Sequence, residues 1–152
     1  LAQRLGQRLI LSHTNISRFS GITNWAMLKR YIERQGDTVE RIHRIKAIAI
    51  EMRQRLVEGD LGGFAHLLAE EWENRKGLAE GVTTPEVEAM IAAAAEAGAL
   101  ASKLCGAGGG GGMITYAEPA KSSAVKEALE ATGATIMPAT IVEEGIELAV
   151  QA

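Results

Sequence analysis

Lys103-Leu104-Cys105-Gly106-Ala107-Gly108-Gly109-Gly110-Gly111-Gly112-Met113 decides how this chain is read. Six of the seven positions from Gly106 to Gly112 are glycine, and apolar, strand-like residues abut the run on both sides. A flexible linker would carry serine or other polar residues and would separate independent domains. A hairpin turn needs one or two glycines, and close backbone packing needs two or three. Ordering a glycine costs up to ~1 kcal/mol relative to alanine in regular structure, so the remaining glycines need a further reason. One reason is access: a backbone without Cβ atoms can take positive φ and turn several amide protons into one concavity, which suits a phosphate. No Gly-Lys-Ser/Thr follows, and Met113 starts a strand instead of a helix, so the loop is neither a P-loop nor a dinucleotide fingerprint.

The flanks of the loop read as strands: Leu100 to Cys105 before it, and the β-branched and aromatic Met113-Ile114-Thr115-Tyr116-Ala117 after it. Further out, Thr84-Pro85 is a hydroxyl cap followed by proline at the first helical position, and the helix it opens runs through the alanine tract Ile91 to Ala97. Pro119 starts a helix with Val125 and Leu129 four apart, ending at Gly133. Ala134 to Met137 and Ile141 to Val150 read as two more strands, and Leu9 to Thr14 as another. Between them, three helices are expected to pack together. The first follows Thr23 with Trp25, Leu28 and Ile32 on one face. The second follows Asp37, whose spacing to Glu40 is that of a capping box, with Ile42, Ile45, Ala49, Met52 and Leu56 on one side. The third is capped by Asp60 and carries Leu61, Phe64, Leu68 and Trp72.

The fold expected is α+β: a ferredoxin-like antiparallel sheet with added helices, the helices on one face. It is read as a single domain over 1–152, with a helical part at about 22–80 and a glycine-loop α+β part at about 84–150.

Composition bounds the function. With 47% apolar and 23% charged residues the chain is of ordinary globular type. No apolar run reaches the ~18 residues of a membrane span, and the first residues lack the order of a signal peptide, so a cytoplasmic protein with no membrane partner is expected. Leu1 begins the sequence in place of Met, from which an upstream segment is expected to have been removed. The first 76 residues hold 13 basic against 9 acidic side chains and the rest 3 against 10, a split that follows the helical part and resembles no polyanion-binding surface. The aromatic residues are too scattered for base stacking, and nucleic acid is not an expected partner.

The loop Lys103 to Gly111 resembles the third conserved motif of the GHMP kinases, the family of galactokinase, homoserine kinase, mevalonate kinase and phosphomevalonate kinase. In that family the motif lies in a ferredoxin-like C-terminal domain. Within it the chain is similar to the bacterial heptose 7-phosphate kinases, through His13-Thr14-Asn15-Ile16-Ser17-Arg18-Phe19-Ser20, the helix from Ile42 to Leu56, Gly59-Asp60-Leu61 and the stretch from Trp72 to Lys76. The resemblance implies phosphoryl transfer from ATP, with Mg2+, to a hydroxyl of a sugar or sugar phosphate. It implies that Gly106, Ala107, Gly108, Gly109, Gly110 and Gly111 border the nucleotide and substrate cleft. Two departures stand out. Cys105 occupies the place of the family's usual Ser or Thr, a weaker hydrogen-bonding group. The family's Pro-x-x-x-Gly-Leu-Gly-Ser-Ser loop is not found in the 152 residues, and the catalytic Asp and Lys belong with it, so no catalytic residue is expected here and no activity without an N-terminal kinase domain as partner.

Among single residues, Arg18 stands in a polar turn between Ser17 and Ser20, and its guanidinium is a candidate for a substrate phosphate, with Ser17 and Ser20 beside it. The alternative is an ordinary surface arginine. Lys103 is expected to face outward, Arg41, Arg44, Arg53 and Arg55 to form a solvated helix face, and Cys105 to fill apolar space. His13, His43 and His66 share no spacing, so no metal site is expected. Two rival readings are a non-catalytic module that binds a phosphorylated ligand or assembles as a homodimer, and a structural domain with a glycine-rich hairpin.

Overall fold

The computed structural model describes residues 1–17 and 20–145, without the side chains of Ser20 and Ile22. A short helix α1 (Ala2–Gly6) leads into β1 (Leu9–His13). Four helices follow: α2 (Ser20–Ile32), α3 (Thr38–Glu58), α4 (Leu61–Lys76) and α5 (Pro85–Glu96). Then come β2 (Ala99–Leu104), β3 (Gly112–Ala117), a 3-10 turn at Pro119–Lys121, α6 (Ser122–Ala131) and β4 (Thr135–Met137). The sheet order is β2-β3-β1-β4 and every neighbouring pair is antiparallel. The two halves, β1 to β2 through helices and β3 to β4 through α6, give the α+β, ferredoxin-like arrangement with helices added before β2.

Side-chain caps fix the starts of two helices. Asp60 caps α4 by accepting from the Gly63 amide at 2.8 Å, and Thr84 caps α5 by accepting from Val87 at 3.3 Å ahead of Pro85. Asp37 stands at the start of α3 and makes no capping bond. Its carboxylate instead takes the Arg41 guanidinium at 2.8 Å, an i,i+4 pair that draws the oxygen away from the helix amides. Gly59, at φ 73, ends α3 in the left-handed conformation and lets α4 turn back against it. Arg44 on α3 grips both carboxylate oxygens of Glu70 on α4, at 2.6 and 2.8 Å, and Arg41 reaches the Glu73 carbonyl. These two arginines therefore clamp α3 to α4 and are more than a solvated face.

Two apolar clusters sit on opposite sides of the sheet. One holds Ile10, Leu104, Met113 and Ala117 from the strands under Val87, Met90 and Ala94 of α5 and Val125 and Leu129 of α6. The other packs Leu61, Phe64, Ala65 and Leu68 of α4 on Ala101 and Tyr116. Cross-strand register explains the division: Ile10 pairs with Thr115 and Ser12 with Met113 on one face, Leu9 with Tyr116 on the other. Helices thus cover both faces, not one, because α4 carries its own apolar stripe to the β2–β3 end.

Three further expectations change. On α2, Ala26 and Met27 pack toward the larger core while Trp25, Leu28 and Ile32 are 62%, 49% and 65% exposed. The stripe is present, but the helix turns it outward. On α3 the fully buried apolar residue is Ile48, and Ala49 faces solvent. After β4 the chain from 141 to 145 forms no strand, and the remaining residues of that expected strand lie outside the described residues. No helix among the described residues is long and apolar enough to cross a membrane.

Candidate functional site

The glycine run joins β2 to β3 and is wedged between two other segments. Gly106, Gly108, Gly109, Gly110 and Gly111 all have positive φ, at 77, 87, 75, 143 and 86°, a path closed to most side chains. Two of these positions also lack room. A Cβ on Gly108 would lie 2.8 Å from the Val82 Cα and nearer still to the Val82 carbonyl oxygen, and one on Gly110 would lie 2.7 Å from the Ile16 carbonyl oxygen. One wall is therefore the segment before α5, the other the turn after β1.

The loop's amides divide into two sets. The Gly109 N–H donates to the Val82 carbonyl at 2.8 Å, and the Gly111 N–H donates to Thr14 Oγ1 at 2.8 Å. No acceptor among the described residues takes the amide protons of Gly106, Ala107 or Gly110. Gly106 is exposed, while Ala107 and Gly110 are buried. A buried amide without an acceptor is costly, ~1–3 kcal/mol, unless a ligand or water supplies one.

The turn after β1 is itself tied down. Asn15 takes φ 57, and its side-chain amide donates to the Gly133 carbonyl and to Thr135 Oγ1, each at 2.9 Å, anchoring the turn at the corner between α6 and β4. Ile16 then presses on Gly110 and Ser17 stands exposed beyond it. Arg18 lies outside the described residues, as does the Ser20 side chain, and Ser20 opens α2. His13 contacts Asn15 and belongs to this corner.

Lys103, two residues before the loop, does not face outward as expected. Its ammonium pairs with Glu71 of α4, whose carboxylate is 7% exposed and also holds Arg75 at 2.6 Å. Its charge is thereby committed to fixing α4 on β2. Cys105 is half-buried, and its backbone N–H closes the loop's base on the Gly112 carbonyl at 2.8 Å. Sequence reasoning missed Thr14 and Val82 as supports. Neither carries a local signal, since each acts on glycines far along the chain.

A ferredoxin-like sheet with a glycine-rich loop between its second and third strands defines the class of fold. Residues 52–135 match the family model described as GHMP kinases C terminal, so the chain belongs to the GHMP kinase family through that domain. It is 30% identical over 149 residues to the D-glycero-alpha-D-manno-heptose 7-phosphate kinase of Campylobacter jejuni, covering 97% of this chain and 43% of that protein. It is 32% identical over 127 residues to a mevalonate kinase of Thermococcus gammatolerans, covering 81% of this chain and 38% of that protein. The fold matches the crystal structure of L. major mevalonate kinase in complex with R-mevalonate at a TM-score of 0.73 and 20% identity, over 88% of this chain and 43% of that one. The chain thus spans less than half the length of the relatives it matches.

Proposed function

We propose that this chain is the C-terminal part of an ATP-dependent small-molecule kinase acting on a sugar, in particular a heptose phosphate, in the cytoplasm. The observation that carries the reading is the trio of amides, Gly106, Ala107 and Gly110, with no acceptor among the described residues in a loop of five positive-φ glycines. Gly106 to Gly111 line the phosphate side of the cleft. Ser17, Arg18 and Ser20 follow in sequence the turn whose Ile16 touches Gly110, and in this reading they hold the sugar phosphate. The donor set fits an ATP phosphate, which takes backbone N–H groups readily.

No group of three or more His, Cys, Asp or Glu among the described residues could hold a metal ion. In this reading Mg2+ comes with the nucleotide and is held mainly by the N-terminal part. When bound, MgATP supplies the phosphoryl group that passes to the sugar hydroxyl. This chain's contribution is positional: it orients the phosphates through fixed dipoles that need no rearrangement during transfer. The base that takes the hydroxyl proton belongs to the N-terminal kinase domain, this chain's partner, and the chain alone has no turnover.

The test has two arms. Mixed with the separately expressed N-terminal part of a heptose 7-phosphate kinase, the chain is expected to support ADP release that depends on the sugar phosphate. In the second arm Gly106→Asn and Gly106→Asp are compared, since both residues tolerate positive φ better than most. A carboxylate within about 4 Å of a phosphate opposes binding by ~1–4 kcal/mol depending on the local dielectric, so the Asp variant loses about fivefold or more in ATP affinity while Asn does not. Equal affinities for the two variants would sink the placement.

A second reading, a ligand-binding or homodimer-forming module without catalysis, is favoured by one feature, the outward Trp25, Leu28 and Ile32 stripe on α2. A concentration-dependent dimer that Trp25→Ser abolishes, with no turnover in the mixing experiment, would favour it.

A further inference from the structure

The antiparallel ladder between β1 and β3 runs from Leu9↔Tyr116 to His13↔Gly112. The next rung would join Thr14 and Gly111 through two backbone bonds. Only one forms: Thr14 N–H donates to the Gly111 carbonyl at 2.9 Å. The return bond is made by a side chain, with the Gly111 N–H donating to Thr14 Oγ1 at 2.8 Å, and the Ile16 N–H also reaches that oxygen at 3.4 Å. Thr14 is 2% exposed, so water is no substitute acceptor. The exchange of a carbonyl for a hydroxyl at this rung ends the ladder and coincides with the turn at Asn15.

The consequence for the loop is directional. Gly111 at φ 86 and Gly109 are pinned from opposite walls, by Thr14 and by Val82, and Gly110 between them is left with its amide uncommitted among the described residues. Were the Gly111 amide not taken up, the same short segment could rotate its peptide planes, and the direction of the Gly110 amide would change with them. We infer that Thr14 is a positioning residue: its hydroxyl fixes the glycine loop in the orientation that offers the Gly106, Ala107 and Gly110 amides to an anionic phosphate. This rests on the phosphate reading of the loop.

The experiment compares Thr14→Val, which keeps shape and removes the acceptor, with Thr14→Ser, which keeps the acceptor. Amide hydrogen exchange and 15N chemical shifts are followed in the full chain, with MgATP as the probe. In Thr14→Val the Gly111 amide is expected to exchange about tenfold faster, and the ATP dissociation constant to rise about tenfold, the loss of one hydrogen bond. The β1–β3 ladder amides at Leu11 and Ile114 should keep their protection, which separates a loop effect from general destabilisation. Thr14→Ser should restore both values.

Unchanged Gly111 exchange in Thr14→Val would overturn the inference, and so would faster exchange with ATP affinity at the wild-type level. A wild-type chain whose Gly106 and Ala107 amides do not respond to millimolar MgATP would overturn the phosphate reading itself, and the inference with it. Response in the wild type with equal response in Thr14→Val removes only the role of Thr14.

Discussion

Gly108 and Val82 approach so closely that a methyl group on the glycine would overlap the valine backbone, with Cβ 2.8 Å from the Val82 Cα. Part of the loop's glycine content is therefore a packing requirement, independent of any ligand. Gly108→Ala combines this overlap with a positive φ of 87° and should destabilise by ~3 kcal/mol or more, since neither backbone can move without breaking the Gly109–Val82 hydrogen bond. Gly133, at φ 90°, has nothing within 4 Å of the same position. Gly133→Ala should cost only the conformational part, ~1–2 kcal/mol. Urea midpoints of the two variants check the difference, and equal losses would show that the Val82 wall yields.

Glu71 sits between two cations, Lys103 on β2 and Arg75 on its own helix, with 7% of its side chain exposed. Either cation alone can neutralise it, and each can reach solvent when released. Lys103→Met and Arg75→Met singly are expected to cost ~1 kcal/mol or less apiece. The double variant leaves a buried carboxylate with no partner and should cost ~3–5 kcal/mol, well above the sum. A double-mutant cycle by chemical denaturation reads this coupling, and simple additivity would mean that Glu71 is hydrated in solution.

The two aspartates at helix starts should behave differently. Asp60 accepts from the Gly63 amide at 2.8 Å, so Asp60→Ala should cost ~1 kcal/mol. Asp37 holds only Arg41 in an exposed i,i+4 pair, so Asp37→Ala should cost no more than ~0.5 kcal/mol. Comparable losses in thermal melts would place a capping bond at Asp37 after all.

This contrast shows where the sequence was legible. Thr84-Pro85 and Asp60 were readable because a cap is a local bond, made within three residues. The strands around the glycine run were readable for a similar reason, their residue types being those of a pleated surface. Asp37 failed because Arg41, four residues on, competes for its carboxylate, and capping-box spacing does not report competitors. The α2 stripe was a true period, yet a period does not say which side faces the core, and Ala26 and Met27 took that place from Trp25, Leu28 and Ile32. The two-faced sheet was hidden because Phe64 and Leu68 belong to one cluster and Trp72, on the same helix, to the other. Thr14 lies 97 residues from Gly111, and no pattern within a strand or a turn marks such a pairing.

Tyr116 offers a test of pH dependence. Its ring is fully buried, packs on Phe64 with centroids 6.2 Å apart, and its hydroxyl finds no partner among the described residues. Burial raises the phenol above its ordinary value, with Glu118 adding to the rise and Arg8 and Arg4 opposing it. A group with a raised folded-state value contributes stability that is complete below its unfolded value, about 10, and lost as pH climbs through the folded one. The chain should therefore weaken above about pH 10 partly because Tyr116 ionises more readily when unfolded. Tyr116→Phe removes that ionisation and a buried donor without an acceptor, while keeping the ring. At pH 7 it should be neutral or stabilising by up to ~1 kcal/mol, because no hydrogen bond is lost with the hydroxyl. Its advantage over the native chain should then grow between about pH 9.5 and 11, from just below the unfolded phenol's value of about 10 to about one unit above it. Urea midpoints at the two ends of that range measure it. A Phe variant less stable at pH 7 would mean that the hydroxyl has a partner in solution, and parallel alkaline losses would mean that other groups drive them.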